Sequence, residues 1–347
     1  MVKFLIIRFS SIGDIVLTTP VIRIIKTQIN NSEIHYLTKK ENSLILEGNN
    51  YIDKLHLYNK DTYNNIIEEL IDEQFDFIID LHKNLRTHKL KSKLKVPDFS
   101  FNKLNYKKWL LVNFKINKLP NIHIVDRYLE TVSVFDIFND NKGLDYFIPE
   151  KDVLKIDGIT QSEKFVAIVI GAKHFTKRMP NEKLIQLINK IEQKIVLLGG
   201  KEDVENAKII QDSVKKEVYN FCGVISLNQS ASIIQQSSIV ITHDTGLMHI
   251  ASAFKKIVIS IWGNTVPEFG MYPYLPNEKS KIFQVENLKC RPCSKIGFKN
   301  CPKKHFKCMK QINIDEISNY INKICISLIT NNLSSINNLI LRKPKGH

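Results

Sequence analysis

No apolar run in the 347-residue sequence approaches the roughly 20 residues needed to cross a bilayer, so no segment reads as transmembrane. Export is not signalled either. MVKFLIIRFSSIGD opens on a short apolar stretch, but no small-residue cleavage site follows it, and it reads as a first buried strand. The six cysteines, lacking an export signal, do not suggest a disulfide framework, and the expected location is the cytoplasm. No repeat of solenoid length is present. Dense basic clusters interleaved with aromatics are also missing, which disfavours a nucleic-acid partner. The three-glycine dinucleotide fingerprint is absent, and no D-x-D pair marks a metal–diphosphate site.

What is present is an ordinary globular composition, 43% hydrophobic and 24% charged. A single core rarely grows past about 250–300 residues, so two domains are expected. The formal net charge of +15 has two readings. One is attraction to an anionic partner such as a phosphorylated glycolipid or a membrane surface. The other is compositional bias, since the chain is rich in Lys, Ile and Asn and poor in Arg.

Short apolar runs alternate with amphipathic helical patterns. VKFLIIRF (2–9), EIHYLT (33–38), KLHLYN (54–59) and FDFIIDLH (75–82) read as strands, with helix-like VIRIIKTQ and NNIIEELIDEQ between them. This is the rhythm of a parallel sheet covered on both faces. It blurs between about 100 and 160, where Pro149, Asp152, Asp157 and Gly158 suggest a linker. It restarts with strands at 165–172, 194–200, 218–223, 238–244 and 256–263, and helices around 181–193, 202–217, 226–236 and 246–254. A last helix is expected at about 315–330, with Asp315 as N-cap, followed by a polar tail ending RKPKGH. The architecture predicted is α/β: two open parallel-sheet domains, 1–158 and 159–330, with a tail over 331–347.

Three strand-to-helix turns carry candidate chemistry. In RFSSIGDIVLTTP (8–20), Gly13 is followed at once by Asp14. Ligands of open α/β sheets bind at the carboxyl ends of strands. An acid there repels a pyrophosphate but suits a base; alternatively Asp14 is a helix N-cap. Pro20 leaves the helix start ambiguous, because proline prefers a first turn. In ITHDTGLMHIASAF (241–254), a strand ends in His243 and Asp244, and Thr245 and Gly246 open a helix. Its free N–H groups and dipole form a seat for a diphosphate, unless this is only a capped turn. In GAKHFTKRMPNEKL (171–184), Gly171 and Ala172 precede the basic cluster Lys173, His174, Lys177 and Arg178. That cluster suits a phosphate, or is a solvated loop.

Together these segments resemble glycosyltransferase family nine, the heptosyltransferases of lipopolysaccharide core assembly, from residue 1 to about 325. The resemblance implies a GT-B fold, with the acceptor on the first domain and a nucleotide sugar on the second. It implies inversion at the anomeric carbon, no essential metal and no cofactor. Asp14 matches the family's base, and Lys177 its phosphate-binding lysine. Ala172, Asp244, Thr245, Gly246 and His249 fall in the donor site. Either Glu202 or Asp203 would hydrogen-bond a ribose, with Asp203 preferred. Ser11 and Gly13 are assigned to the acceptor side. So are Arg86, in the acceptor-loop-like FIIDLHKNLRTHKL, and Arg127, in HIVDRYLE; either is otherwise a plain structural or surface arginine.

The expected partners follow: ADP-heptose as donor, a lipid-linked anionic glycan as acceptor, and weak, reversible contact with the inner face of the inner membrane. The spacing of Cys290, Cys293, Cys301 and Cys308 permits a zinc knuckle, although cysteines occur here in some family members without a metal. The window stands apart from the three motifs and is left out of the catalytic reading. Rival functions are transfer of another sugar, epimerisation of a nucleotide sugar on the same fold, and non-catalytic sugar-nucleotide binding. Asp14 and Lys177 favour transfer, and product analysis separates transfer to an acceptor, an isomerised donor and no turnover.

Overall fold

The computed structural model describes residues 1–59, 61, 63–159 and 164–340, with backbone alone over 328–340. Two parallel sheets form. The first has strands β1 (Val2–Ile7), β2 (Ser32–Lys39), β3 (Lys54–Tyr58), β4 (Phe77–Asp80) and β5 (Asp98–Ser100), in the order β3-β2-β1-β4-β5. The second has β6 (Phe165–Val169), β7 (Lys194–Leu198), β8 (Val218–Asn220), β9 (Ile239–His243), β10 (Ile257–Trp262) and β11 (Lys281–Gln284), in the order β11-β10-β9-β6-β7-β8. Every registered pair is parallel. The central strands are continuous apolar runs because helices cover both faces. β6, β9 and β10 are buried at every residue.

The helices of the first domain are α1 (Ile12–Val16), α2 (Thr19–Gln28), α3 (Tyr63–Asp72), α4 (Leu85–Leu94), α5 (Asn105–Phe114) and α6 (Ile124–Leu129). Those of the second are α7 (Asn181–Lys190), α8 (Val204–Ser213), α9 (Leu227–Gln236), α10 (Gly246–Ala253), α11 (Lys307–Lys310) and α12 (Ile314–Ile340). Pro20 falls in the first turn of α2, so the first helix breaks after Val16 and restarts at Thr19.

Both sheets have the doubly wound order in which strand direction of travel reverses beside the first strand. The resulting crevices, between β1 and β4 and between β6 and β9, lie at the carboxyl ends where such folds bind ligands. Gly158, in the expected linker, adopts φ +80°, and its carbonyl accepts from Tyr219 Oη at 3.0 Å. The segment around Asp140 and Asp145 folds onto the first domain, where the two carboxylates clamp Arg23, whereas Leu154 and Ile156 already pack against the core of the second.

Two expectations are corrected here. The last helix continues to Ile340, past the expected end at 330, so residues 331–340 are not an irregular tail. RKPKGH lies outside the described residues. Asp315 is inside the helix; Asn313 Oδ1 accepts the Glu316 N–H at 3.1 Å and caps it instead.

Candidate active site

The loops after β1, β4, β6 and β9 meet around one cavity of about 1090 Å3 between the sheets. Ser11, Gly13 and Asp14 line it from the first domain. Ala172, Lys177, Asp203, Asp244, Thr245, Gly246 and His249 line it from the second. The three sequence motifs therefore converge.

Asp14 occupies the third position of α1. Its Oδ2 accepts from the Ser11 N–H at 3.1 Å and the Ser11 hydroxyl at 2.7 Å, a reciprocal cap of the helix start. Asp14 is therefore not the N-cap that the sequence also allowed: Ser11 holds that position, and Asp14 sits third in the helix, bonded back to it. Its Oδ1 lies 2.7 Å from the Arg8 guanidinium. Arg8, at the end of β1, also donates to the Tyr128 hydroxyl at 3.0 Å and to the Leu81 and Ser10 carbonyls. Burial pushes the Asp14 carboxyl up, but Arg8, then the Ser11 donors and His249, outweigh it and hold it below the usual range. The carboxylate is fixed, ionised and one-fifth exposed toward the cavity.

Across the cavity, Lys177 Nζ lies 2.5 Å from Asp244 Oδ2, which also accepts from the Thr265 hydroxyl at 2.9 Å. Thr245 caps α10 in an extended conformation, leaving the first N–H groups of the helix toward the cavity. His249 is 2% exposed, and burial holds its imidazole down at about 4, so the ring is neutral. It lies within electrostatic reach of both Asp14 and Asp244. His243 is likewise neutral: burial lowers it to about 4, and its Nε2 accepts the Met179 N–H at 3.0 Å, orienting the loop that carries Lys177.

The structure redistributes three assignments. Asp203 is 3% exposed; one oxygen faces Arg178 at 2.9 Å and the other accepts the Gly200 N–H at 2.9 Å. It braces the loop after β7, and the exposed acid on the cavity wall is its neighbour Glu202. Arg127 is no acceptor contact. It is 3% exposed, bonds the Phe269 and Asn102 carbonyls at 3.2 and 3.3 Å, and is not among the cavity residues. Arg86 is exposed near the start of α4 and also stands outside the cavity.

Several lining residues were not singled out in the sequence: Arg8, His82, Lys103, Lys108 and Lys295. Arg8 sat within the quoted first motif. Lys103 and Lys108 fall in the stretch where the helical rhythm blurs, and only folding brings them in. Lys295 and Ile296 belong to the loop of the cysteine window, which therefore does reach the cavity. The four thiols are all free. They lie within electrostatic reach of one another, Cys308 feeling Cys290, Cys293 and Cys301, while among the described residues the one trio of ligand atoms within 4.8 Å of each other is His35, His56 and Glu73.

Two parallel-sheet domains with switch-point crevices facing one cleft, an acid on one wall and a lysine with a helix N-terminus on the other, define a GT-B type glycosyltransferase. The profile of glycosyltransferase family 9 (heptosyltransferase) matches residues 64–304, and the chain belongs to that family. The match begins after the Asp14 turn, so Asp14 rests on the geometry above. Lipopolysaccharide heptosyltransferase 1 of Campylobacter coli is 27% identical over 76% of this chain and 84% of its own length. Lipooligosaccharide heptosyltransferase 2 of Campylobacter jejuni is 27% identical over 90% and 96%. Among solved structures, ADP-heptose lps heptosyltransferase II of E. coli aligns over 94% of this chain and 99% of its own, at 16% identity and a TM-score of 0.72. E. coli heptosyltransferase WaaC with ADP aligns over 92% and 99%, at 17% and 0.69. At such identities these structures speak for the fold.

Proposed function

We propose that the protein transfers heptose from ADP-heptose to a lipid A–core acceptor of lipopolysaccharide, inverting the anomeric carbon and using no divalent ion. The observation that carries this reading is the opposition of Asp14 to Lys177 and the α10 N-terminus across one cavity. Residues 1–158 would hold the acceptor, and 159–330 the donor.

An acceptor hydroxyl attacks the anomeric carbon from the face opposite the diphosphate. Asp14 takes the hydroxyl proton as the new C–O bond forms. The old C–O bond breaks, and its electron pair leaves on the β-phosphate of ADP. Lys177 keeps an N–H for that oxygen while bonded to Asp244, and the first N–H groups of α10 supply the rest. Asp244 is already compensated by Lys177 and Thr265, so the positive charge at the seat comes from side chains and a helix end. Glu202 takes the ribose role first given to Asp203, whose oxygens are engaged.

Arg8, Lys103, Lys108 and Lys295 give the cavity a basic wall suited to an anionic glycolipid. Among the described residues no helix is long and apolar enough to cross a membrane. Contact with an anionic inner-leaflet surface would be electrostatic, at roughly 1 kcal/mol per basic residue near the surface and screened by salt.

The test incubates purified protein with ADP-heptose and a heptose-free lipid A–core acceptor, with and without EDTA. Expected are ADP release, a product heavier by one heptose, inverted linkage by NMR, and rates unchanged by EDTA. An isomerised donor would replace transfer by epimerisation, and activity restored only by Mg2+ or Mn2+ would refute the metal-free step.

A further inference from the structure

On the far edge of the first sheet, away from the cavity, two histidines face each other beneath α3. His35 on β2 and His56 on β3 are each 1% exposed. His35 Nε2 lies 2.7 Å from Glu33 Oε1, and His56 Nδ1 lies 2.6 Å from Glu69 Oε1. A carboxylate only accepts, so both of these outer nitrogens carry a proton. The inner nitrogens of the neutral rings, His35 Nδ1 and His56 Nε2, are then both lone pairs, aimed at each other 2.8 Å apart. Such a contact needs a cation between the rings, either a shared proton or a metal ion. Glu73 Oε2, just past α3, stands 3.8 Å from His35 Nδ1, and the three ligand atoms lie within 4.8 Å of one another.

We propose that His35, His56 and Glu73 form a binding site for a zinc-class divalent cation, separate from the transferase cleft. The outer carboxylates give the arrangement its character. Ligating histidines almost always donate their other N–H to a carboxylate or carbonyl, which fixes tautomer and ring direction. Glu33 and Glu69 do this for both rings. Two imidazoles and one carboxylate suit zinc better than calcium or magnesium, and leave a fourth position for water.

Zinc–ligand bonds of about 2.0–2.1 Å put tetrahedral ligand atoms roughly 3.3 Å apart. The inner nitrogens must part by about half an ångström, and Glu73 must close by about half an ångström on His35 and by up to about 1.5 Å on His56. Glu73 currently bonds Lys3 at 3.1 Å and Lys54 at 2.5 Å, both able to swing away to Glu33 and Glu69, which they already approach at 3.8 and 3.7 Å. The Phe75 ring closes one side, 5.1 Å from the His35 ring. None of these residues lines the cleft, so the ion would clasp the edge strands to the end of α3 and take no part in transfer.

The test strips the full-length protein with a chelator and titrates it with Co2+ as a spectroscopic probe, then with Zn2+ in competition with an indicator. One equivalent of Co2+ should bind with visible ligand-field bands and without the intense sulfur-to-cobalt band that the cysteine window would give. Glu69→Gln leaves all three ligands in place and should weaken binding by about 10–100-fold. Glu73→Gln and His56→Gln should remove it. Zinc at about a hundred times its Kd should raise the Tm by a few degrees in the wild type only. Should His56→Gln fail to fold, the two partly exposed glutamate variants still decide. No thiolate-free equivalent in the wild type, or binding that Glu69→Gln and Glu73→Gln leave unchanged, would overturn the site and make the pair a proton-sharing packing contact.

Discussion

Gly13 lies against the ring of His249: a β-carbon on residue 13 would stand 2.7 Å from His249 Cδ2. The approach is mutual, since a β-carbon on Gly246 would meet Ile12 Cγ2 at 2.6 Å. Two helix starts from different domains touch through two glycines, and this contact sets where Asp14 stands relative to the head of α10.

Gly13→Ala should therefore act on geometry. Its backbone needs no special conformation, so the cost comes from pushing a buried ring, about 1–3 kcal/mol for overpacking. A displacement near 1 Å can cost about 10²-fold in rate. We expect kcat to fall by about that factor while ADP affinity, measured by calorimetry, changes little. Normal kcat with lowered Tm would mean that the contact serves packing alone.

Asp14→Asn should lower kcat by about 10²–10⁴, the range for a lost general base, with donor affinity retained. The carboxyl is held below its ordinary value of 3.8, so it stays ionised as pH falls through the weakly acidic range. Wild-type turnover should consequently show no acid limb from Asp14 above about pH 4. Single-turnover rates between pH 5 and 7 check this. Near-normal turnover of the variant would remove Asp14 from the chemistry.

Lys177→Ala should weaken donor binding and slow ADP departure, at about 3 kcal/mol in the transition state. Part of that loss comes from leaving Asp244 uncompensated beside the diphosphate. Adding Asp244→Asn should thus recover some donor affinity in the double variant. If the single variant stays within about twofold of wild type in both Kd and kcat, Lys177 only anchors Asp244.

The sheets were legible because buried parallel strands are plain apolar runs: β1, β6, β9 and β10 lie inside the spans read from the sequence. The edge strands β5 (DFS) and β11 (KIFQ) were missed, being short and only partly buried. The convergence of Asp14, Lys177 and Asp244 was legible because each sits where a strand meets a helix. Arg127 was not, since nothing local says that an arginine in HIVDRYLE will be buried against the Phe269 carbonyl. Asp203 was half legible: its position after β7 was right, but its bond to Arg178 depends on a loop 25 residues earlier in the chain.

Lys108 gives the cleft a titration near physiological pH. Burial, and then the Arg127 charge, pull its ammonium down to about 8, with Lys295 and Lys103 adding to the effect and Asp14 opposing it. The residue lines the cavity from α5, where a lipid-linked anionic acceptor would lie. The sign follows from the lowered value. Below about pH 8 the side chain is cationic and would attract the proposed anionic acceptor; above it the charge is lost, about 2.5 pH units earlier than for an ordinary lysine near 10.5. Acceptor KM should rise as pH passes through 8, by up to about tenfold per unit if only the cation binds. Donor KM should stay level over the same interval if the donor sits, as proposed, on Lys177 and the α10 N-terminus. Lys108→Met should show a raised acceptor KM that no longer changes between pH 7 and 9. Steady-state kinetics at fixed ionic strength separate this from screening, which would weaken acceptor binding with salt at every pH. An acceptor KM that is flat through pH 8 in the wild type, or a rise that persists in Lys108→Met, would assign acceptor recognition to the remaining cations of the wall.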